Sequence, residues 1–177
     1  WGYDWDNHDS DNCQEKVEYT LDYVVRVPAN LNIVVSTINQ GKVSIERVGG
    51  GIVANNVNGG IVLNGISREA EVHTVNGNVD ILYAKNPQKP CRFYTLNGDI
   101  NAWFQKGLAA ELIFESYNGE LFTNVANLES LPVLLEMESA KEGTRYKVNG
   151  NRYKIGSGGV KLDFETFNGN VYLKEKI

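Results

Sequence analysis

A four-residue motif recurs along this chain: Thr or Ser, then an aromatic or aliphatic residue, then Asn-Gly. It occupies residues 74–77, 95–98, 116–119 and 166–169, with weaker copies at 37–41, where Gln40 is inserted, and at 56–59, where Asn56 replaces Thr. Three successive steps, from Asn58 to Asn76, Asn97 and Asn118, measure 18, 21 and 21 residues. A fixed period near 20 residues is typical of one supersecondary unit stacked on itself, so the sequence predicts a solenoid.

Apolar residues alternate with polar ones on both sides of each Asn-Gly pair, and this period of two predicts short strands with one buried face. The predicted inward residues before the motif are Val35, Thr37, Val72, Thr74, Phe93, Thr95, Phe114, Ser116, Phe164 and Thr166. Those after it are Val43, Ile45, Ile61, Leu63, Val79, Ile81, Ile100, Ala102, Leu121, Thr123, Val171 and Leu173. The alternation slips by one residue at Asn-Gly, which indicates a corner.

Two topologies fit this repeat. In an antiparallel meander, Asn-Gly is a two-residue hairpin turn, which is the commoner meaning of the dipeptide. In a parallel β-helix, the Asn side chains of successive coils stack about 4.8 Å apart and form an amide ladder. The second topology explains why every second turn carries the motif. We therefore predict an all-β fold: a single-stranded, right-handed parallel β-helix of about 20 residues per coil, with Val79, Ile100 and Leu121 on consecutive rungs.

The repeat is interrupted after Asn118, since the next Asn-Gly begins at Asn149, 31 residues later. Residues 126–139 contain Pro132 and read equally well as strand and loop. Residues 145–155 are nearly palindromic around Asn149-Gly150, so they predict a hairpin that protrudes from the solenoid, with Tyr146 opposite Tyr153.

Charge divides the chain into a leader and a body. The net charge is −5, and residues 1–22 alone carry seven acids and one base, which leaves the body close to neutral. We predict an acidic leader over 1–14 and one β-solenoid domain over 15–177, with an N-terminal cap over 15–30. No cap is recognisable after Leu173, so the last rung is predicted to be open to another molecule. The body lacks a basic stripe, which argues against a nucleic-acid partner, and no segment is apolar enough for a transmembrane helix.

Three segments resemble the auto-transporter-adhesin head-like β-helical domains of Gram-negative bacteria, a family of unknown function. They are residues 25–33 with 37–39, residues 114–123 and residues 165–172, and the resemblance extends over about 24–177. Gln40 and Asn56 depart from the pattern. The resemblance implies an exported protein, periplasmic or attached to the outer membrane or cell surface, without known catalytic residues.

Candidate sites are few. No catalytic motif is present, and we predict no catalytic, metal-binding or cofactor-binding residue and no cofactor. Asn78, Asp99 and Glu120 share one predicted outward column, where paired carboxylates would either be solvated or hold Ca²⁺. Asp80 beside Asn101 is the nearest approach to a catalytic pair. The predicted contact surface consists of residues typical of interfaces, namely Arg145, Tyr146, Arg152 and Tyr153.

Two cysteines, Cys13 and Cys91, match no metal or redox motif, and they are either free thiols or one disulfide. Three functions follow from these observations. The first is a non-enzymatic, exported surface adhesin or structural module of the cell envelope. The alternatives are a periplasmic scaffold that binds glycan or another envelope protein, and a carbohydrate-active enzyme.

Overall fold

The computed structural model describes residues 21–39, 41–133, 135–140, 143–148 and 150–176. Over these residues the chain is all-β and contains no helix, which confirms the predicted class. The strands are β1 Ile33–Thr37, β2 Val43–Glu46, β3 Ile52–Asn58, β4 Ile61–Ile66, β5 Ala70–Asn76, β6 Val79–Tyr83, β7 Cys91–Asn97, β8 Ile100–Phe104, β9 Ala110–Asn118, β10 Leu121–Thr123, β11 Leu128–Leu131, β12 Leu135–Ala140, β13 Gly143–Val148, β14 Asn151–Ile155, β15 Val160–Asn168 and β16 Val171–Glu175.

The strands form two large sheets in which parallel pairing dominates. The eight-stranded sheet has the order β1-β3-β5-β7-β15-β9-β14-β11, and the six-stranded sheet has the order β10-β16-β8-β6-β4-β2. All described pairs in these sheets are parallel except those of β14, which runs antiparallel to β9 and β11. The strands β12 and β13 form a separate antiparallel pair.

Each copy of the motif connects a strand of the eight-stranded sheet to a strand of the six-stranded sheet. We number these strand pairs as repeats 1 to 6, namely β1–β2, β3–β4, β5–β6, β7–β8, β9–β10 and β15–β16. The two strands of a repeat belong to different sheets, so the Asn-Gly pairs of repeats 2 to 6 are corners. The antiparallel meander is therefore excluded for these repeats.

Repeat 6 lies between repeats 4 and 5, although it comes last in the chain. Leu162 is opposite both Cys91 of repeat 4 and Leu112 of repeat 5. In the other sheet, Val171 is opposite Ile100 and Leu121.

Two predictions about the order of repeats are therefore wrong. Val79 and Ile100 are neighbours, but Ile100 and Leu121 are not, because Val171 separates them. The C-terminal repeat is also not an open end, since both of its strands are paired on both sides. The reason is that repeats 4, 5 and 6 share one register. Repeat 5 could therefore pair directly with repeat 4, or repeat 6 could pair between them, provided that the segment between repeats 5 and 6 brings the chain back.

The segment between repeats 5 and 6 does not contain the predicted hairpin at 145–155. β13 pairs with β12, with Val148 opposite Leu135, whereas β14 joins the eight-stranded sheet, with Asn151 opposite Phe114. The palindromic pattern suits a hairpin locally, but pairing with β9 and β11 gives β14 a hydrogen-bonded neighbour on each side. The protruding hairpin is therefore wrong.

Inward-facing residues of both sheets form one buried cluster, as the alternation predicts. Aromatic rings pack between neighbouring repeats: Phe93 and Phe164 form a tilted pair with ring centroids 5.0 Å apart, and Tyr83 and Phe104 form a stacked pair with centroids 4.9 Å apart. Five predicted inward residues are exceptions, and three of them, Val35, Thr37 and Ser116, are half-buried. Leu121 is half-buried and Thr123 is exposed, because β10 is the edge strand of its sheet.

Near the N-terminus, residues 21–32 contain no strand, and Tyr23, Val24 and Val25 are exposed. The described part of the predicted N-terminal cap, residues 21–30, thus contains no strand. The leader 1–14 and residues 15–20 of the predicted cap lie outside the described residues, so both remain predictions.

Candidate functional site

An asparagine ladder runs along the corners of repeats 2 to 6. Each side-chain amide donates to the next side-chain oxygen: Asn76 to Asn58 at 2.9 Å, Asn97 to Asn76 at 2.8 Å, Asn168 to Asn97 at 2.8 Å and Asn118 to Asn168 at 2.9 Å. The predicted ladder is confirmed, with Asn168 inserted between Asn97 and Asn118. A continuous row of amide bonds fixes the register of every corner.

The glycines beside this ladder allow neighbouring corners to approach closely. Gly77 and Gly98 have φ values of 158° and 152°, a conformation that other residues rarely adopt. A Cβ on Gly98 would lie 2.6 Å from the carbonyl carbon of Gly77. The hydroxyl of Thr95 donates to the Gly77 carbonyl at 3.0 Å, and Thr74 does the same to Gly59. The Thr and the Gly of the motif thus both contribute to the close contact between the corners of neighbouring repeats.

Asn56, which replaces Thr in repeat 2, makes an equivalent contact. Its amide donates to the Gly41 carbonyl at 2.6 Å, although its side-chain oxygen is buried without a partner. The substitution therefore preserves the corner.

A second polar column follows the ladder, and it contains the predicted Asn78, Asp99 and Glu120. Asn170 lies between the two acids: Asp99 Oδ1 accepts from the Asn170 backbone amide at 2.7 Å, and Asn170 Oδ1 accepts from the Glu120 amide at 3.0 Å. The acids are therefore not on adjacent strands, which removes the repulsion that a cation would relieve. Among the described residues, no group of three or more His, Cys, Asp or Glu side chains is arranged to hold a metal ion.

A groove of about 500 Å³ crosses the amino ends of β1, β3, β5, β7 and β15. Its lining combines apolar side chains with both signs of charge, including Val34, Val53, Glu69, Glu71, Arg92, Lys161 and Asp163. Strands in a sheet are about 4.8 Å apart, so five strands give a groove about 19 Å long. This length and shape suit an extended ligand that lies across the strands.

Arg92 is the electrostatic centre of this groove. Its guanidinium is 3.0 Å from a Glu165 carboxylate oxygen and 3.9 Å from Asp163. The hydrogen bond to Glu165 raises the pKa of Arg92. Burial raises the pKa of Asp163, although the charge of Arg92 opposes this shift. The guanidinium therefore lies between two carboxylates that would otherwise repel each other.

Further charged groups line the same side of the sheet. The Glu71 carboxylate contacts His73 Nε2 at 3.2 Å, and Lys89 contacts Glu69 at 3.2 Å. A backbone hydrogen bond, followed by that of Lys89, lowers the pKa of Glu69. Most charges at the groove are thus paired within the protein.

Sequence reasoning did not find this cluster, because Arg92 and Asp163 are 71 residues apart and meet only where repeat 6 is inserted. The sequence did contain one signal for the cluster: charged residues at outward positions near the amino ends of the strands. Without the order of repeats, that signal does not show which charges meet.

The four residues of the predicted contact surface lie in two different sheets. Arg145 and Tyr146 lie in β13, opposite Glu138 and Met137 of β12. In β14, Arg152 pairs with Glu111 at 3.4 Å, whereas Tyr153 packs against the core. Neighbouring residues of a strand point to opposite faces, so Arg152 and Tyr153 do not present one surface. A contact role for each remains a prediction.

Asp80 and Asn101 are brought together as expected, with the Asn101 amide donating to Asp80 at 2.9 Å. An amide–carboxylate pair of this kind has one titratable member and is a structural contact. Cys91 is buried, and its thiol is 3.2 Å from the Tyr83 hydroxyl. Cys13 lies outside the described residues, so the disulfide stays a prediction.

No protein-family model, curated protein or solved structure matches this chain. Across the described residues, no helix is long and apolar enough to cross a membrane.

Proposed function

We propose that the six repeats form a single-stranded parallel β-helix, right-handed, with about 20 residues per coil. Three observations support this arrangement: each repeat contributes one strand to each sheet, neighbouring repeats are paired in parallel, and corresponding motif positions are aligned. Repeat 6 is then a coil inserted between coils 4 and 5.

We propose further that this β-solenoid is a non-enzymatic module of the cell envelope, exported to the periplasm or cell surface and acting in adhesion or as a structural element. The resemblance of residues 24–177 to adhesin-head domains supports export and this role. The asparagine ladder supports a mechanical role, because it adds side-chain bonds between coils to the backbone ladder.

The non-enzymatic assignment is supported by the pairing of the two carboxylates beside Arg92. Hydrolysis of a glycosidic bond by two carboxyl groups needs one protonated acid and one free base or nucleophile facing the substrate. Here Arg92 holds the Glu165 carboxylate at 3.0 Å and lies 3.9 Å from Asp163, so neither acid is free to act as the base or nucleophile. We therefore expect no hydrolase or lyase activity.

The groove favours one alternative function, a scaffold that binds a glycan or another envelope protein. Its length across five strands and its mixed lining suit an extended polar ligand. This interaction would require Arg92 to exchange one of its internal partners for the ligand.

A glycan-array screen combined with turnover assays on polysaccharides distinguishes these functions. The screen uses the wild type, Arg92→Ala, and Lys106→Ala as a control outside the groove lining. A structural or adhesive module that does not recognise free glycans gives neither specific binding nor turnover. Binding that is lost in Arg92→Ala and kept in Lys106→Ala supports the scaffold. Turnover by a clean wild-type preparation overturns the non-enzymatic proposal.

A further inference from the structure

We propose that repeat 6 is exchangeable between molecules: the slot between repeats 4 and 5 of one copy accepts residues 160–175 of a second copy. The proposal rests on the order of strands in the two sheets and is independent of the adhesive or structural role. The partner is a second copy of this chain, because that copy carries the one segment known to fit the slot.

The strands on both sides of the slot, from repeats 4 and 5, pair with repeat 6 in the same register. In the eight-stranded sheet, Phe164 is opposite Phe93 of repeat 4 and Phe114 of repeat 5. In the six-stranded sheet, Val171 is opposite Ile100 and Leu121. These strands therefore specify the position of an incoming repeat residue by residue.

Side-chain and backbone bonds complete the slot at its corner. Asn168 donates to Asn97 and accepts from Asn118, and its backbone carbonyl accepts from the Gly98 amide at 2.9 Å. The Gly169 amide donates to the Asn118 carbonyl at 3.0 Å. All these partners belong to repeats 4 and 5, so a repeat 6 that arrives from another molecule re-forms every one of them.

The turn before repeat 6 is suited to act as the hinge. β14 and β15 pair with opposite edges of β9, in opposite directions, so residues 156–159 cross the start of β9. Three of these four residues are glycines with positive φ: 58° at Gly156, 75° at Gly158 and 130° at Gly159. If this turn extends, β15 is directed away from its own slot and toward that of a neighbour. Exchange of an identical element in this way is a low-cost route to dimers.

A pair of glycine substitutions tests the hinge. Gly158 has φ 75°, and a Cβ added there would have its nearest contact 3.6 Å away. Gly107, in the turn between β8 and β9, has φ 81°, and an added Cβ would have no neighbour within 4 Å. Valine strains both turns through the backbone, but only the turn at Gly158 precedes repeat 6. Strain at one positive-φ residue shifts the equilibrium between monomer and exchanged dimer by about tenfold. Each exchanged dimer contains two extended hinges, so the strain is relieved twice.

We therefore expect the dimer of Gly158→Val to be about a hundredfold tighter than that of the wild type, since about tenfold arises from each hinge. Gly107→Val should match the wild type. Both are measured by light scattering of the full chain after refolding over a range of concentrations. A Gly158→Val protein that is as monomeric as Gly107→Val overturns the proposal.

A cross-linking experiment distinguishes exchange from ordinary dimerisation. Asn101 and Tyr172 are opposite each other on β8 and β16. Full chains carrying Gly158→Val and Cys13→Ser, with either Asn101→Cys or Tyr172→Cys, are refolded together, and a chain with both cysteines and the natural Gly158 confirms that the bond forms at this position. An interchain disulfide in the mixed sample supports exchange. A Gly158→Val dimer without this cross-link, while the double variant closes within one chain, contradicts it.

Discussion

The asparagine ladder predicts that one substitution makes the stability of this protein depend on pH in a new way. Asn97 is in the middle of the ladder, where its amide donates to Asn76 at 2.8 Å and its oxygen accepts from Asn168 at 2.8 Å. In Asn97→Asp, an ionised carboxylate still accepts from Asn168, but it cannot donate to Asn76. Two oxygen atoms then face each other where a hydrogen bond existed.

The magnitude follows from that one contact. A hydrogen bond contributes about 0.5–1.5 kcal/mol net, and the facing oxygens add repulsion that solvent reduces because this position is exposed. We expect Asn97→Asp to lower the free energy of unfolding by about 1–2 kcal/mol at pH 7. Asn97→Ala loses both bonds and should cost about 2 kcal/mol at every pH.

The direction of the pH dependence is set by the protonated form of the introduced carboxyl group, which donates to Asn76 and restores the ladder. Its pKa in the folded protein is therefore raised above the unfolded value of about 3.9, by roughly one pH unit for each 1.4 kcal/mol. The stability contributed by this restored hydrogen bond is therefore present below about pH 3.9 and is lost as the pH rises to about 5.

Urea unfolding of the wild type, Asn97→Asp and Asn97→Ala at intervals between pH 3 and pH 7 measures this effect. Differences from the wild type at each pH remove the titration of the natural acids. The reasoning is refuted if the deficit of Asn97→Asp is the same at pH 3.5 and pH 7, or if Asn97→Ala shows the same recovery in acid.

Other predictions use the same urea assay. Ile100→Asp should abolish folding, because Ile100 is fully buried and an unpaired carboxylate there costs several kcal/mol. Asp80→Asn should change the free energy of unfolding by less than about 0.5 kcal/mol, since an amide also accepts from Asn101; equal losses in both variants would contradict the assigned faces. Asp163→Asn should be more stable than the wild type at pH 7 and equal to it near pH 3. The raised pKa of Asp163 means that its ionisation destabilises the fold as the pH rises, and lower stability at pH 7 would show that attraction to Arg92 outweighs burial.

The repeated corner was predictable because its determinants are local. Thr, Asn and Gly occupy fixed positions within each period, so the faces of Val79 and Ile100 and the ladder through Asn97 follow from the alternation alone. These features are found in the structure as expected.

The order of the repeats was not predictable in the same way. Thr95, Thr166 and Ser116 occupy equivalent positions, so a ladder that places repeat 5 directly on repeat 4 satisfies the same pattern as the observed one. The charged cluster around Arg92 depends on that order, and it was missed for the same reason. At β14, a palindromic sequence indicated a local hairpin, but distant partners determined the pairing.

The position of repeat 6 between repeats 4 and 5 has a consequence for the kinetics of folding. During synthesis, repeat 5 emerges before repeat 6 and meets the free edge of repeat 4, with Phe114 in register with Phe93 and Leu121 in register with Ile100. We expect repeat 5 to dock there first and then to separate when repeat 6 arrives, so folding includes a slow rearrangement in place of steady growth from one end.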